Sequence, residues 1–189
     1  PYATIGYRDL FRAIDKDLHK YNWAVKKNKI FWRGSAFGVG PECNDLNGCE
    51  RFRFMNYVAT LDFVDAKFTS YTSQLNPEFK ARLAAIHSLT ENVKPSDSQA
   101  YKYLIDIDGN SCSYSRMAWI LYSNSVLMKH QSDLMQWYYL QLKSMEHYIP
   151  INADFTNLQM QYIWAEKHPI EAKAIAENGR KLAKQIFSS

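Results

Sequence analysis

The apolar run Tyr-Leu-Ile-Asp-Ile at residues 103–107 stops at Gly109, passes through small hydroxyl residues, and reaches Arg116 at the head of a second apolar segment that extends to Met128. A short apolar run closed by a glycine predicts a strand buried on both faces, and the longer segment after the loop predicts a helix. A second such unit starts at Ile30-Phe-Trp-Arg-Gly-Ser35. Backbone N–H groups, hydroxyls and a guanidinium brought together at the end of a strand are the means by which a sheet holds a phosphate-bearing group.

Around these units the periodicity alternates. Residues 7–20 predict a helix with Leu10, Phe11, Ile14 and Leu18 on one face; 51–59 predict a helix, 61–68 contain a strand, and Asn76-Pro77 opens a helix through Ile86. The polar stretch 90–100 reads as a surface loop, 115–122 as a helix, 126–128 as a strand, 134–142 as a helix and 147–151 as a strand ending at Pro150. Two C-terminal helices follow, the second opening with Pro169. Strands alternating with helices imply an α/β fold with a mostly parallel sheet, whose ligands bind at the carboxyl ends of the strands.

A chain of 189 residues with 47% apolar residues supports one well-buried domain and excludes a disordered chain. No run of eighteen apolar residues is present, so no membrane-spanning helix is expected. The formal charge of +4 is dispersed; it favours anionic partners such as phosphates or acidic head groups, and it is too small to argue for nucleic acid. Peripheral membrane association fits the same charge. Of three cysteines, Cys43 and Cys49 are spaced to close a small loop in an oxidising compartment, and reduced thiols in a cytoplasm are the expectation. The sequence begins at Pro1 and reads as a piece of something longer.

In the first unit Gly34 permits a turn or close approach to a ligand, Ser35 offers a hydroxyl and an N–H, and Arg51 at the next helix entry can fork onto a phosphate. The plain alternative is that Arg33 and Arg51 make surface salt bridges. In the second, Ser113 and Ser115 can cap the helix and donate to phosphate oxygens. Arg116 in the first helical turn opposes the helix dipole unless it faces an anion. Asp106-Ile-Asp108 permits a metal reading, but an aspartate directly before Gly109 more often shapes the turn, and no metal is expected. The five histidines are scattered, and His147 reads as structural. Trp119, Trp137, Tyr138, Tyr139 and Trp164 read as helical core residues. The absence of a Gly-x-Gly-x-x-Gly after a strand counts against a nicotinamide or flavin enzyme.

Taken in order, Gly6-Tyr-Arg-Asp-Leu-Phe11, Ile30 to Ser35, Glu50-Arg51, Tyr103 to Arg116, Ser123-Asn-Ser-Val-Leu-Met-Lys129, Trp137 to Lys143, His147-Tyr-Ile-Pro-Ile151 and Ala176-Glu-Asn-Gly179 resemble the CAP10-like glycosyltransferases, glycosyltransferase family 90. The resemblance implies a GT-B enzyme with two Rossmann-like lobes, of which this chain is the C-terminal, donor-binding one: residues 1–25 a remnant helix between lobes, 26–189 the nucleotide-sugar domain. It implies inverting, metal-independent transfer of a hexose or pentose from a UDP-sugar to a lipopolysaccharide core or a protein serine, with no cofactor. Carried over by position, the donor contacts look like Ser35, Arg51 (with Arg53 a rival), the backbone of Asn110, Ser111, Cys112, Ser113, Tyr114 and Ser115, and Arg116, with Tyr2 a possible substrate contact. One extra residue stands between Gly109 and the arginine relative to the animal members. The family's catalytic aspartate belongs upstream of this chain, so no base is nominated. The rival readings are a catalytically silent sugar-nucleotide or protein-binding module and a generic phosphate-binding α/β domain. The expected setting is the cytoplasmic face of a bacterial inner membrane, with the endoplasmic reticulum lumen as the alternative.

Overall fold

The computed structural model describes residues 2–37, 44–109 and 111–187, and side chains from residue 7 onward. Five parallel strands form one sheet in the order β2-β1-β3-β4-β5: β1 Lys27–Ala36, β2 Val64–Tyr71, β3 Tyr101–Asp106, β4 Val126–His130 and β5 Ile149–Ile151. The helices are α1 Tyr2–Asp17, α2 Glu50–Val58, α3 Pro77–Ile86, α4 Pro95–Ser98, α5 Arg116–Tyr122, α6 Leu158–Lys167 and α7 Pro169–Phe187.

Both faces of the sheet are covered, as an all-parallel sheet requires. On one face Ile30, Trp32, Tyr103, Ile105 and Met128 pack with Phe52, Phe54, Phe79 and Leu158 from the helices. On the other, Phe31, Leu104 and Leu127 meet Phe11, Ile14, Met117, Ile120 and Phe187. The apolar character of Tyr103, Leu104, Ile105 and Ile107 follows directly: alternate residues serve opposite cores, and Asp106 is the buried charged exception within the run. The α3 boundary matches its sequence signal, with the Asn76 side chain accepting from the Phe79 N–H at 2.7 Å and Pro77 at the first turn.

Two segments differ from expectation. Residues 134–142 form no α-helix; only a 3-10 turn at Tyr139–Gln141 is regular. Tyr138 and Tyr139 are buried, while Leu140 is 86% and Trp137 60% exposed, a burial order that no single helical face produces. The polar stretch 90–100 is not simply a surface loop. It contains α4, and Ser96, Ser98 and Gln99 are buried, with the Ser98 hydroxyl donating to the Lys94 carbonyl. Gln99 Nε2 donates to the Ile14 and Ser96 carbonyls. The thiol expectation also changes: Cys49 is disulfide-bonded and Cys112 is free, while Cys43 lies outside the described residues.

Lys26 is 4% exposed and ties together the N-terminal ends of three strands. Its Nζ donates to the Gln99 carbonyl at 2.7 Å and to Ser125 Oγ at 2.9 Å, and Ser125 Oγ donates onward to the Tyr101 carbonyl. A neutral amine supplies both of those N–H bonds. Burial, then the charge of Arg180, lowers the Lys26 pKa to about 7. The unfolded chain therefore holds more protons than the folded one above that value, and stability rises with pH from about 7 toward the ordinary lysine value of 10.5. Thermal unfolding from pH 7 to pH 9.5 is expected to show a climbing midpoint, flattened in Lys26→Met; phenols act in the opposite sense only above roughly pH 10. A midpoint that climbs equally in the variant contradicts the assignment.

Candidate donor site at the sheet switch point

In this strand order the chain leaves β1 for β2 on one side and places β3 on the other, so a crevice opens between the carboxyl ends of β1 and β3. Open α/β sheets bind ligands at such a switch point. Arg51, in the first turn of α2, spans it. Its Nε donates to the Asp108 carbonyl and its Nη1 to the Ser35 carbonyl, each at 3.0 Å, so one guanidinium joins the ends of both strands. Gly109 faces the same group: a Cβ there would stand 2.9 Å from Arg51 Nη2. The glycine is required by close approach of the guanidinium.

Arg116 opens α5 and turns toward the same place. Its Nε lies 3.9 Å from Asp106 Oδ1, a charge pairing too long for a hydrogen bond. The two guanidiniums share one aromatic neighbour, with Arg51 Cζ 5.7 Å and Arg116 Cζ 5.6 Å from the Trp32 ring centroid. Among the described residues no carboxylate lies within 4.0 Å of Arg51. Burial lowers the Arg51 pKa to about 10, with the Arg116 charge the next cause; burial likewise lowers that of Arg116. Two desolvated cations with one loosely placed carboxylate between them are an arrangement that an anion completes.

Ser35 follows a register shift between Gly34 and Ser35 that re-aims the end of β1. Its hydroxyl accepts from Ser70 Oγ at 2.9 Å. Gly34 lines the same cavity as Ser35, and a Cβ there would stand 2.5 Å from the Trp32 ring. Ser35, Arg51, Ser115 and Arg116 line one cavity of about 400 Å³, whose farther wall includes Asn92 and Trp119.

Ser111, Cys112, Ser113 and Tyr114 of the nominated loop are not in the wall of this cavity. Ser113 is committed elsewhere: its hydroxyl reaches both Asp106 oxygens at 2.6 Å and its N–H donates to Asp108 Oδ1 at 3.0 Å. It ties the loop to the strand end and has no donor left for a phosphate. Neither Ser113 nor Ser115 caps α5 through its side chain; the N-cap is Ser115, without a side-chain bond. Ser111 is exposed, Cys112 accepts from Gln136 Nε2 at 2.9 Å, and Tyr114 is 65% exposed with its carbonyl bonded by Tyr7 Oη. Asn110 and the Tyr2 side chain lie outside the described residues.

Of Arg51 and its rival Arg53, only Arg51 lines this cavity; the Arg53 side chain is 41% exposed, lies 3.9 Å from Glu50 and lines a different cavity. Arg33 is no surface pair: it lines the cavity and is held by Asp65 at 2.6 Å, and Asp65 also accepts from Tyr101. Asp106 and Asp108 both serve the Ser113 loop, and no cluster of three metal-ligating side chains occurs among the described residues. His147 is structural, with Nδ1 accepting the Lys143 N–H at 3.0 Å. Trp32, Asn92 and Trp119 were not singled out as site residues by sequence. Only Trp119 carried a signal, three positions after Arg116 on the same helix face.

Protein O-glucosyltransferase 2 of Danio rerio is 31% identical over 163 residues, covering 86% of this chain and 29% of that protein. The O-glucosyltransferase LpsA of Dichelobacter nodosus is 23% identical, covering 86% of this chain and 45% of that protein. The chain thus spans less than half the length of these relatives. Among solved structures, a glycosyltransferase from Rickettsia africae superposes with a TM-score of 0.57 at 13% identity, covering 95% of this chain and 50% of that one. HepE of Anabaena, solved in complex with UDP-glucose, gives 0.55 at 9% with the same coverage. The shared fold is the Rossmann-like lobe of GT-B-type glycosyltransferases. The profile described as Glycosyl transferase family 90 matches residues 5–189, and the chain belongs to that family.

Proposed function

We propose that this chain is the C-terminal, donor-binding lobe of an inverting, metal-independent glycosyltransferase that moves a hexose or pentose from a UDP-sugar to a hydroxyl of a glycan or protein. The observation that carries the reading is the convergence of Arg51 and Arg116 on one crevice at the strand ends, against one indole. The relatives named as O-glucosyltransferases support hydroxyl acceptors, and the fold shared with a protein solved with UDP-glucose supports the donor class.

The leaving group in such a transfer is a nucleoside diphosphate, so negative charge grows on the β-phosphate as the glycosidic bond breaks. Fixed cations in a desolvated crevice stabilise that charge without reorganising. Arg116 has room to turn onto the phosphate. Arg51 is already fixed by two carbonyls and contributes position and field. These two charges fill the electrostatic role that a divalent cation plays in metal-dependent transferases, the basis for proposing metal independence. A carboxylate must take the acceptor proton in an inverting attack, and the reading assigns that base to a part of the enzyme outside this chain.

Titration with UDP-glucose, followed by assay of sugar transfer or hydrolysis from the labelled donor, tests this. Saturable binding that does not require added divalent metal is expected, with weak or no turnover by the chain alone. Absence of binding removes the donor-site assignment; binding without turnover, even when the upstream part of the parent protein is supplied, favours the silent binding module instead.

A further inference from the structure

Asp106 ends β3 and is 3% exposed. A carboxylate buried this deeply needs a counter-charge, and each cation around it is only partly available. Arg116 from α5 is the nearest, at 3.9 Å. Lys129, its register partner on β4, holds its ammonium 4.8 Å from the Tyr139 ring centroid. Arg51 of α2 spends two donors on strand-end carbonyls. Asp108, two residues on, adds like charge. From the segment after β4, Tyr138 and Tyr139 bury hydroxyls that have no hydrogen-bond partner. Among the described residues, the only hydrogen bonds that reach the Asp106 carboxylate come from Ser113 Oγ.

We infer that Asp106 is the resting counter-ion of Arg116 and takes up a proton when the donor's diphosphate replaces it. The inference rests on the donor-site reading above. An arriving diphosphate brings at least two negative charges to the guanidinium that Asp106 now faces. The carboxylate then has an anion where it had a cation, and neutralising it removes the repulsion. Ser113 accommodates either form, since a hydroxyl accepts as readily as it donates. The proton comes from solvent and resides on an Asp106 oxygen; no other bond changes.

The starting point already favours this. Burial raises the Asp106 pKa to about 6, although Arg116 and Ser113 pull it down. Bound donor raises it further, so the complex holds more protons than the free protein above that value. Affinity is therefore level below about pH 6 and falls as pH rises beyond it, by at most about tenfold per pH unit for one proton.

Calorimetric titration with UDP-glucose in buffers of different ionisation enthalpy, repeated from pH 5.5 to 8, reads the proton directly, because the diphosphate of this donor does not itself titrate there. Net uptake approaching one proton is expected near pH 7, with the dissociation constant about three- to tenfold higher at pH 7.5 than at pH 6. Asp106→Asn is expected to bind without net uptake, with a flat pH profile and more tightly than wild type at pH 7.5. His130→Gln and His147→Gln are expected to retain the uptake, which keeps the test decisive if Asp106→Asn does not fold. Binding by wild type without uptake, uptake that survives in Asp106→Asn, or uptake lost in a histidine variant overturns the inference. Failure of wild type to bind at all is a separate result, which removes the donor site and this inference with it.

Discussion

Arg116→Met is expected to weaken UDP-glucose binding by at least about 100-fold, the consequence of losing roughly 3 kcal/mol from a desolvated cation facing a phosphate. The effect belongs to the site rather than to the fold. Among the described residues Arg116 makes no side-chain hydrogen bond that holds two elements together, and its one charged contact is the 3.9 Å approach to Asp106. Without it Asp106 is left buried beside Asp108 and becomes protonated, so the folded state is retained with a modest fall in melting temperature. Arg116→Lys separates charge from shape: a point charge replaces a planar fork, and binding should recover only in part. Calorimetry alongside thermal unfolding checks both. Unchanged affinity in a folded Arg116→Met protein means that the guanidinium faces something other than the donor.

Arg51→Met is expected to lose both binding and stability, which distinguishes it from Arg116→Met. The Arg51 guanidinium is the shared partner of the Ser35 and Asp108 carbonyls, and it holds the ends of β1 and β3 at a fixed separation. Two carbonyls deprived of a charged donor in a half-buried crevice cost about 2–4 kcal/mol together. For a chain of this size that is a melting-temperature drop of roughly 4–15 °C. Because the crevice itself is the binding site, its loosening adds to the loss of charge. Arg51→Lys keeps the charge and bonds at most one carbonyl well, so it should stand between wild type and methionine in both measurements. A variant that loses binding with no change in melting temperature contradicts the clamp role.

The sequence carried the order of strands and helices because a doubly covered parallel sheet leaves a clear imprint. Apart from Asp106, the run at 103–107 is apolar since Tyr103, Ile105 and Ile107 face one core and Leu104 the other. Asn76-Pro77 marked the start of α3 because its capping bond is local. Expectation failed where burial is decided by distant partners. Gln99 is buried because Ile14 supplies a carbonyl for its amide and the Lys26 amine donates to its backbone carbonyl. The segment around Tyr138 has helix-like composition, yet Tyr138 packs on Phe187, ring centroids 5.0 Å apart, while Leu140 points to solvent. In the site, the arginines were legible from their places at helix entries. Their convergence on Trp32, the engagement of Ser113 by two aspartates, and the role of Asp106 were not, because all three arise only when β1, β3, α2 and α5 come together.

The structure of the protein with bound UDP-glucose tests the donor-site assignment most directly. The account predicts the diphosphate in the crevice between Ser35 and Arg116, with the Arg116 guanidinium at hydrogen-bonding distance, about 3 Å, from its oxygens and Arg51 beside it, still bonded to both strand ends. A diphosphate seated elsewhere on the sheet, or one in the crevice with Arg116 turned away from it, would contradict the account.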